Sequence, residues 1–356
     1  MGGNAIKQSE RISKDELPYC QAVVRTFLIH NVCILEGVGF KFVKSYYDKQ
    51  DYGDIDVVVN NRLCSPEGVI NKVKEKLGED VEVYRNNKFL SVGFPIDWSH
   101  KPYLEVGTKR VVQVDFIFEN NMSMACNYYN WNDLGNLIGR QAKKLGFKYG
   151  HEGLVYLFRD GDHIYKEEIV SQDILEILPF LGFYSEKFIL GFKTLEDIFK
   201  FVASGEYFNP DIYLLDNLNS VSRIRDKKRK TYTEFLKWCK EIDFTGYSIF
   251  PKDAYTEELK QSKLGESFKV FKGWKDRYDN TQKEYAEHLA KKVWWNGDKA
   301  KSLTGLEGRE LGNFMKGMKT VYNMDECFNL GVGSEIMAQV FWDYFWEGYA
   351  EVDETR

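Results

Sequence analysis

"DYGDIDVVVN", residues 51–60, decides how the chain is read. Val57, Val58 and Val59 form a β-branched run suited to a buried strand, and Asp54 and Asp56 stand just ahead of them. Successive strand residues point to opposite faces, so the two carboxylates share one face while Ile55 and Val57 take the other. Like charges placed this way repel, and neither gains by leaving water; a divalent cation between them makes the arrangement favourable. A third acid, Asp115, lies in "VVQVDFIF" (111–118), a strand pattern apolar on both sides of it. A carboxylate among Val114, Phe116 and Ile117 is costly unless paired or metal-bound. If the two strands are neighbours, Asp54, Asp56 and Asp115 converge, enough to hold two Mg²⁺ for an in-line phosphoryl or nucleotidyl displacement.

Outward from these acids, 356 residues with 43% apolar and 15% aromatic content provide for two domains, each with its own core. A net charge of −5 excludes a uniformly basic nucleic-acid coat, so any contact with nucleic acid uses local patches. Six cysteines without a CxxC pair, and five histidines not at ligand spacing with them, point to a reduced cytoplasmic setting and away from zinc. Apolar runs fall short of the ~20 residues that cross a bilayer, so no membrane partner is expected. Nothing in the pattern specifies an oligomeric state.

Residues 10–30 carry apolar positions at helical spacing and hand over to a β-rich stretch, "VCILEGVGFKFVKSYY" (32–47). "CSPEGVINKVKEKLGED" (64–80) predicts a bounded helix, with Ser65 as N-cap, Pro66 in the first turn and Gly78 past the end. "VEVYR" and "KFLSVGF" predict a hairpin turning at Asn86 and Asn87. From about residue 130 helical patterns dominate, at 132–145, 171–180, 194–204, 228–242, 255–293, 307–320 and 333–349. The expected fold is α+β, with a mixed sheet and flanking helices over 1–150 and a mainly helical region over 151–356.

"DYGDIDVVV" followed by "QVDFIF" resembles the catalytic core of the polymerase beta-like nucleotidyltransferase superfamily. With "MGGNA" at the start and "NDLGNLIGRQAKKLGFKYGHEGL" (132–154) in the same order, the chain resembles more narrowly the nucleotidyltransferase-like proteins encoded by bacteriophages. "RDKKRKTYTEF" (225–235) and "LTGLEGRELGNFMKGMK" (303–319) extend the likeness more loosely. The resemblance implies a nucleotidyl transfer fold over 1–150, with two Mg²⁺ on Asp54, Asp56 and Asp115 and an NTP, expected to be ATP, as substrate. It also implies a cytoplasmic location, that of the host cell if the protein is phage-encoded.

One feature departs from the superfamily, which places a Gly-Ser pair upstream of the aspartates to hold the triphosphate. Here the region reads "VKSYYDKQDYGD". Ser45 is the residue available to stand in, with Lys44 or Lys49 supplying charge against the phosphates.

In "WNDLGNLIGRQAKK" (131–144), Asn132, Asn136, Arg140 and Lys143 fall on one helical stripe, and Gly135 and Gly139 would admit another backbone at close range. Asparagine suits a merely solvated helix face poorly, so the stripe is expected to face nucleotide. Arg223, Arg225, Lys227, Lys228, Arg229 and Lys230 form a basic run, either a solvated helix start or a grip on polynucleotide phosphates. Trp294 and Trp295, among lysines, are either core or a base-stacking platform. The expected activity is transfer of an NMP from an NTP to an RNA 3′ end. Transfer of AMP to a protein or small molecule, and a non-catalytic nucleic-acid-binding module, stay open.

Overall fold

The computed structural model describes residues 5–86, 89–97 and 109–346. The chain divides into two compact units, Met1–Trp274 and Lys275–Arg356. Its strands are β1 (Ile12–Ser13), β2 (Phe40–Phe42), β3 (Asp51–Tyr52), β4 (Ile55–Asn60), β5 (Val83–Asn86), β6 (Phe89–Asp97), β7 (Lys109–Glu119), β8 (Phe147–Gly150), β9 (Gly153–Asp160) and β10 (His163–Ser171). The main sheet has the order β2-β4-β7-β6-β5, and only its central pair, β4 and β7, runs parallel. It is a mixed sheet in the N-terminal half, followed by a largely helical remainder.

Both faces of β4 and β7 are covered, which is why Val57, Val58 and Val59 are all fully buried. One face packs Ile55, Val57, Val114 and Phe116 against Val24 and Phe27 of α1 (Leu17–Phe27) and Val69 and Val73 of α2 (Pro66–Leu77). The other carries Val58 and Ile117 beneath Met122, Ala125 and Cys126 of α3 (Met122–Tyr129). The helix predicted after β4 forms as expected: Ser65 Oγ accepts from the Gly68 amide at 3.1 Å, and Gly78 ends it at φ 109°. β5 and β6 pair antiparallel as the predicted hairpin, though turn residue Asn87 lies outside the described residues.

α4 (Leu134–Lys144) carries the asparagine-glycine motif, and the two glycines do what their spacing predicts. A Cβ on Gly135 would stand 2.3 Å from the carbonyl oxygen of Tyr128, and one on Gly139 would stand 3.3 Å from that of Tyr149. α3 and β8 therefore approach α4 at backbone distance. Because the Gly135 obstacle is backbone, Gly135→Ala is expected to lower stability by about 1–3 kcal/mol. Chemical denaturation measures it, and Gly312→Ala, where nothing lies within 4 Å of the added carbon, serves as the control.

The three-stranded sheet β10-β9-β8 is absent from the sequence reading, which finds few strand signals past residue 130. Leu154, Val155 and Phe158 of β9 are all buried, so the alternation that marks a one-sided strand is lost. The remaining helices of the first unit are α5 (Ile174–Phe180), α6 (Ser185–Leu190), α7 (Leu195–Ala203), α8 (Ser220–Lys227), α9 (Lys230–Glu241) and α10 (Glu257–Val270). α11 (Trp274–Trp294) is a separate helix, so the pattern expected to run through 255–293 is broken at 271–273, between buried Phe271 and Trp274.

The second unit contains α12 (Gly297–Thr304), α13 (Gly308–Val321), α14 (Met324–Asn329) and α15 (Ser334–Tyr344). Trp295 is buried there with Ala300, Phe314 and Met318, and Trp294 donates its indole N–H to the Val332 carbonyl at 2.9 Å. Both tryptophans thus serve the unit's core. Lys291, Lys299 and Lys301 pair with Asp325, Glu335 and Glu307. No helix among the described residues is long and apolar enough to cross a membrane.

Candidate metal centre

Strand pairing brings the three acids together. β4 and β7 run in parallel register with Asp56 opposite Asp115, so both side chains leave the sheet on the face that carries Val58 and Ile117 one pleat further on. α3 covers those two apolar residues. Asp54, immediately before β4, joins the same face, and one carboxylate oxygen from each of Asp54, Asp56 and Asp115 lies within 4.8 Å of the others.

The electrostatics are those of three converging carboxylates. Burial pushes the Asp56 carboxyl well above the usual carboxylate range, and the charges of Asp54 and Asp115 push it further. Asp115 is also raised, chiefly by burial, against the opposing effect of a hydrogen bond from Ser91. Gln113, two residues before Asp115 on the same face, donates to both its oxygens at 2.9 and 3.1 Å. The Gln113 carbonyl oxygen in turn accepts from the amides of Ala5 and Ile6 at 2.9 and 3.2 Å, fixing which end of the amide faces Asp115. Carboxylates held this way fit an oxygen-seeking divalent cation, whose charge offsets what burial and repulsion cost.

Lys49 and Ser45 flank this centre. The Lys49 ammonium is 3.3 Å from Ser45 Oγ and 4.5 Å from the centre of the Tyr52 ring. Burial lowers its pKa, and the charges of Asp54 and Asp56 act to raise it. The segment bearing both residues is clamped from one side. Tyr47 and Asp48 donate backbone N–H groups to the carbonyls of Phe192 and Lys193 at 2.9 and 2.8 Å, and the Tyr47 hydroxyl donates to Leu190. From the other side, Lys44 accepts from the Trp131 amide at 2.7 Å and donates to the Asn130 side chain at 2.8 Å. Trp131 and Asn132 close this contact in the left-handed region, at φ 66° and 61°.

The polar stripe has surroundings that the sequence does not reveal. Asn132 precedes α4, whereas Asn136 and Arg140 are buried and meet Asp226 of α8, a fully buried carboxylate. Arg140 ion-pairs with Asp226, Arg225 Nε donates to it at 2.8 Å, and Arg225 also donates to Asn136 Oδ1 at 2.7 Å. Lys143, further along the stripe, is exposed. Asn136 and Arg140 thus meet partners within the chain itself, whereas Asn132 Oδ1 is buried without a hydrogen-bond partner among the described residues. In the basic run, Arg229 pairs with Asp133 and Lys230 with Glu234, while Lys227 and Lys228 are exposed.

The residues that sequence reasoning missed are Ser91, Gln113 and Asp226. Gln113 was visible as a polar residue sharing the parity of Asp115 in an apolar strand, and Asp226 as the lone acid in "RIRDKKRK". Ser91 acquires its role only through the pairing of β6 with β7, which sets it opposite Asp115.

No protein-family model matches the sequence, and no match is found among curated proteins. Among solved structures the chain is similar to Leishmania infantum polymerase beta in a ternary gap complex, with 14% identity and a TM-score of 0.32 over 43% of this chain. The matched part spans 53% of that polymerase, about half its length.

Proposed function

We propose that the chain is a Mg²⁺-dependent nucleotidyltransferase that moves an NMP from an NTP to an acceptor hydroxyl, an RNA 3′ end, and releases pyrophosphate. The observation that carries this reading is the convergence of Asp54, Asp56 and Asp115 at the edge of a covered sheet face. Two bound Mg²⁺ ions would neutralise phosphate charge and lower the pKa of the attacking hydroxyl. Asp54 and Asp56 hold the cations, and Asp115, its oxygens oriented by Gln113 and Ser91, completes the set. Residues 1–150 act as the catalytic domain, with the mainly helical region over 151–356, which opens with β9 and β10, serving the acceptor.

Ser45 and Lys49 take the part of the missing Gly-Ser pair, with ATP as the expected donor. Lys49 is half-buried beside the acids, and its segment is fixed on both sides, so its ammonium meets the triphosphate with little left to order. Lys49→Gln is expected to raise the dissociation constant for ATP by about 10- to 150-fold, the loss of one charge-assisted contact. Equilibrium binding of a fluorescent ATP analogue measures it, and an unchanged constant would remove Lys49 from the phosphate site.

The reaction itself is tested by incubating the protein with Mg²⁺, total RNA and each NTP labelled at the α-phosphorus, then separating RNA, protein and small molecules. Label in the RNA supports the reading. Label in protein or small molecules would point to AMP transfer, and no label anywhere to a non-catalytic binding module.

A further inference from the structure

The first unit contains a cleft of about 710 Å³ walled by α4, β8, β9, α8 and α10. Arg140, Lys143, Lys148, Arg159, Arg225 and Lys260 line it. Some of this charge is compensated: Lys148 pairs with Glu167, and Lys260 with Glu257. Arg140 and Arg225 share the single carboxylate of Asp226, which leaves an excess positive charge on that wall. Lys143 and Arg159 have no carboxylate partner among the described residues. Although Lys143 is exposed as a residue, partial desolvation against the wall lowers its pKa, and Arg140, Arg159 and Lys144 lower it further by crowding. Arg140 is only 8% exposed, and its Nε is buried without a hydrogen-bond partner.

A solvated surface spreads such charges apart, whereas a concave site that collects them is stabilised by a polyanion. The basic side chains come from α4, β8, β9, α8 and α10, and the successive phosphates of one strand meet charges so distributed better than one compact anion does. His151 lines the cleft and stacks on Tyr129, with ring centres 6.2 Å apart. His151 Nδ1 also lies 3.1 Å from Glu119 Oε1, so the phosphate contacts fall to the basic side of the cleft.

We infer that this cleft grips the phosphodiester backbone of a polynucleotide strand. That the strand is the acceptor rests on the nucleotidyl-transfer reading; that it binds here does not. Lys143 and Arg159 are the two contacts open to test, because removing them breaks no ion pair within the chain.

The experiment uses the full chain in EDTA without NTP, so the outcome is independent of catalysis. Fluorescence anisotropy follows a labelled single-stranded oligoribonucleotide of about 12 nucleotides through a salt titration. Lys143→Gln/Arg159→Gln is expected to weaken binding at least about fivefold and flatten the slope of log affinity against log salt by roughly 1.4, the share of two phosphate contacts. Lys227→Gln/Lys228→Gln removes the same charge from an exposed position outside the cleft and is expected to change binding less. Unequal losses in this order, with melting temperatures unchanged, support the inference. Equal losses, or no loss, overturn it. So does displacement of the strand by inorganic tripolyphosphate mole for mole, which would make the cleft a site for a free nucleotide. Strand binding without any transfer of label would leave the cleft standing and refute only the proposed activity.

Discussion

Asp56→Asn is expected to abolish nucleotidyl transfer and, in the absence of metal, to raise the melting temperature. Asp56 faces Asp115 across the parallel β4–β7 pair, and its half-buried carboxyl is held well above the usual range by desolvation, Asp54 and Asp115. Asparagine keeps the shape and removes the charge, so repulsion is relieved and cation binding is lost. Metal ions in such sites supply several kcal/mol of transition-state stabilisation, so the loss in kcat/KM is on the order of 10³-fold or more. Single-turnover transfer assays and melting in EDTA check the two halves. A variant with near-native activity would remove Asp56 from the centre.

The same shifts give a pH dependence with a definite sign. The Asp56 and Asp115 carboxyls have folded-state pKa values above the unfolded value of about 3.9. Their contribution to stability is full below that unfolded value and is lost as pH rises through the raised folded values. The metal-free protein should therefore melt lower as pH rises from about 4 toward neutrality. Asp56→Asn should flatten that decline, and Mg²⁺ should restore the melting temperature of the native chain at neutral pH.

Arg140→Ala is expected to destabilise the fold by about 3 kcal/mol, the low end for breaking a buried ion pair. It strands Asp226, which is fully buried, with Arg225 and Asn136 as its remaining partners among the described residues. Those two bonds hold the loss to the low end. Arg140→Met with Asp226→Leu removes both charges and fills the space, and should recover most of the loss. Urea denaturation of the two variants separates these outcomes. Equal instability in both would mean that packing, not the stranded charge, sets the cost.

The acidic centre was legible because its members interrupt strands that are otherwise apolar. Parity placed Asp54 and Asp56 on one face, and the pairing of β4 with β7 brought Asp115 to them. Local signals also served for α2, whose cap and terminator lie within its own sequence. What escaped reading depends on distant partners. Arg140 and Asp226 are 86 residues apart, and no periodicity in α4 announces which polar side chain will meet it. β9 escaped because burial on both faces erased its alternation, and the break between α10 and α11 because Phe271 and Trp274 keep an apolar pattern running through the turn.

The central claim is that Asp54, Asp56 and Asp115 together hold a divalent cation, and titration with Mn²⁺ followed by electron paramagnetic resonance tests it most directly. Mn²⁺ takes oxygen ligands as Mg²⁺ does, and its free signal disappears on binding. Native protein is expected to deplete that signal, and Asp54→Asn, Asp56→Asn and Asp115→Asn each to weaken binding by at least about tenfold. Mn²⁺ affinity unchanged in all three variants would contradict the account.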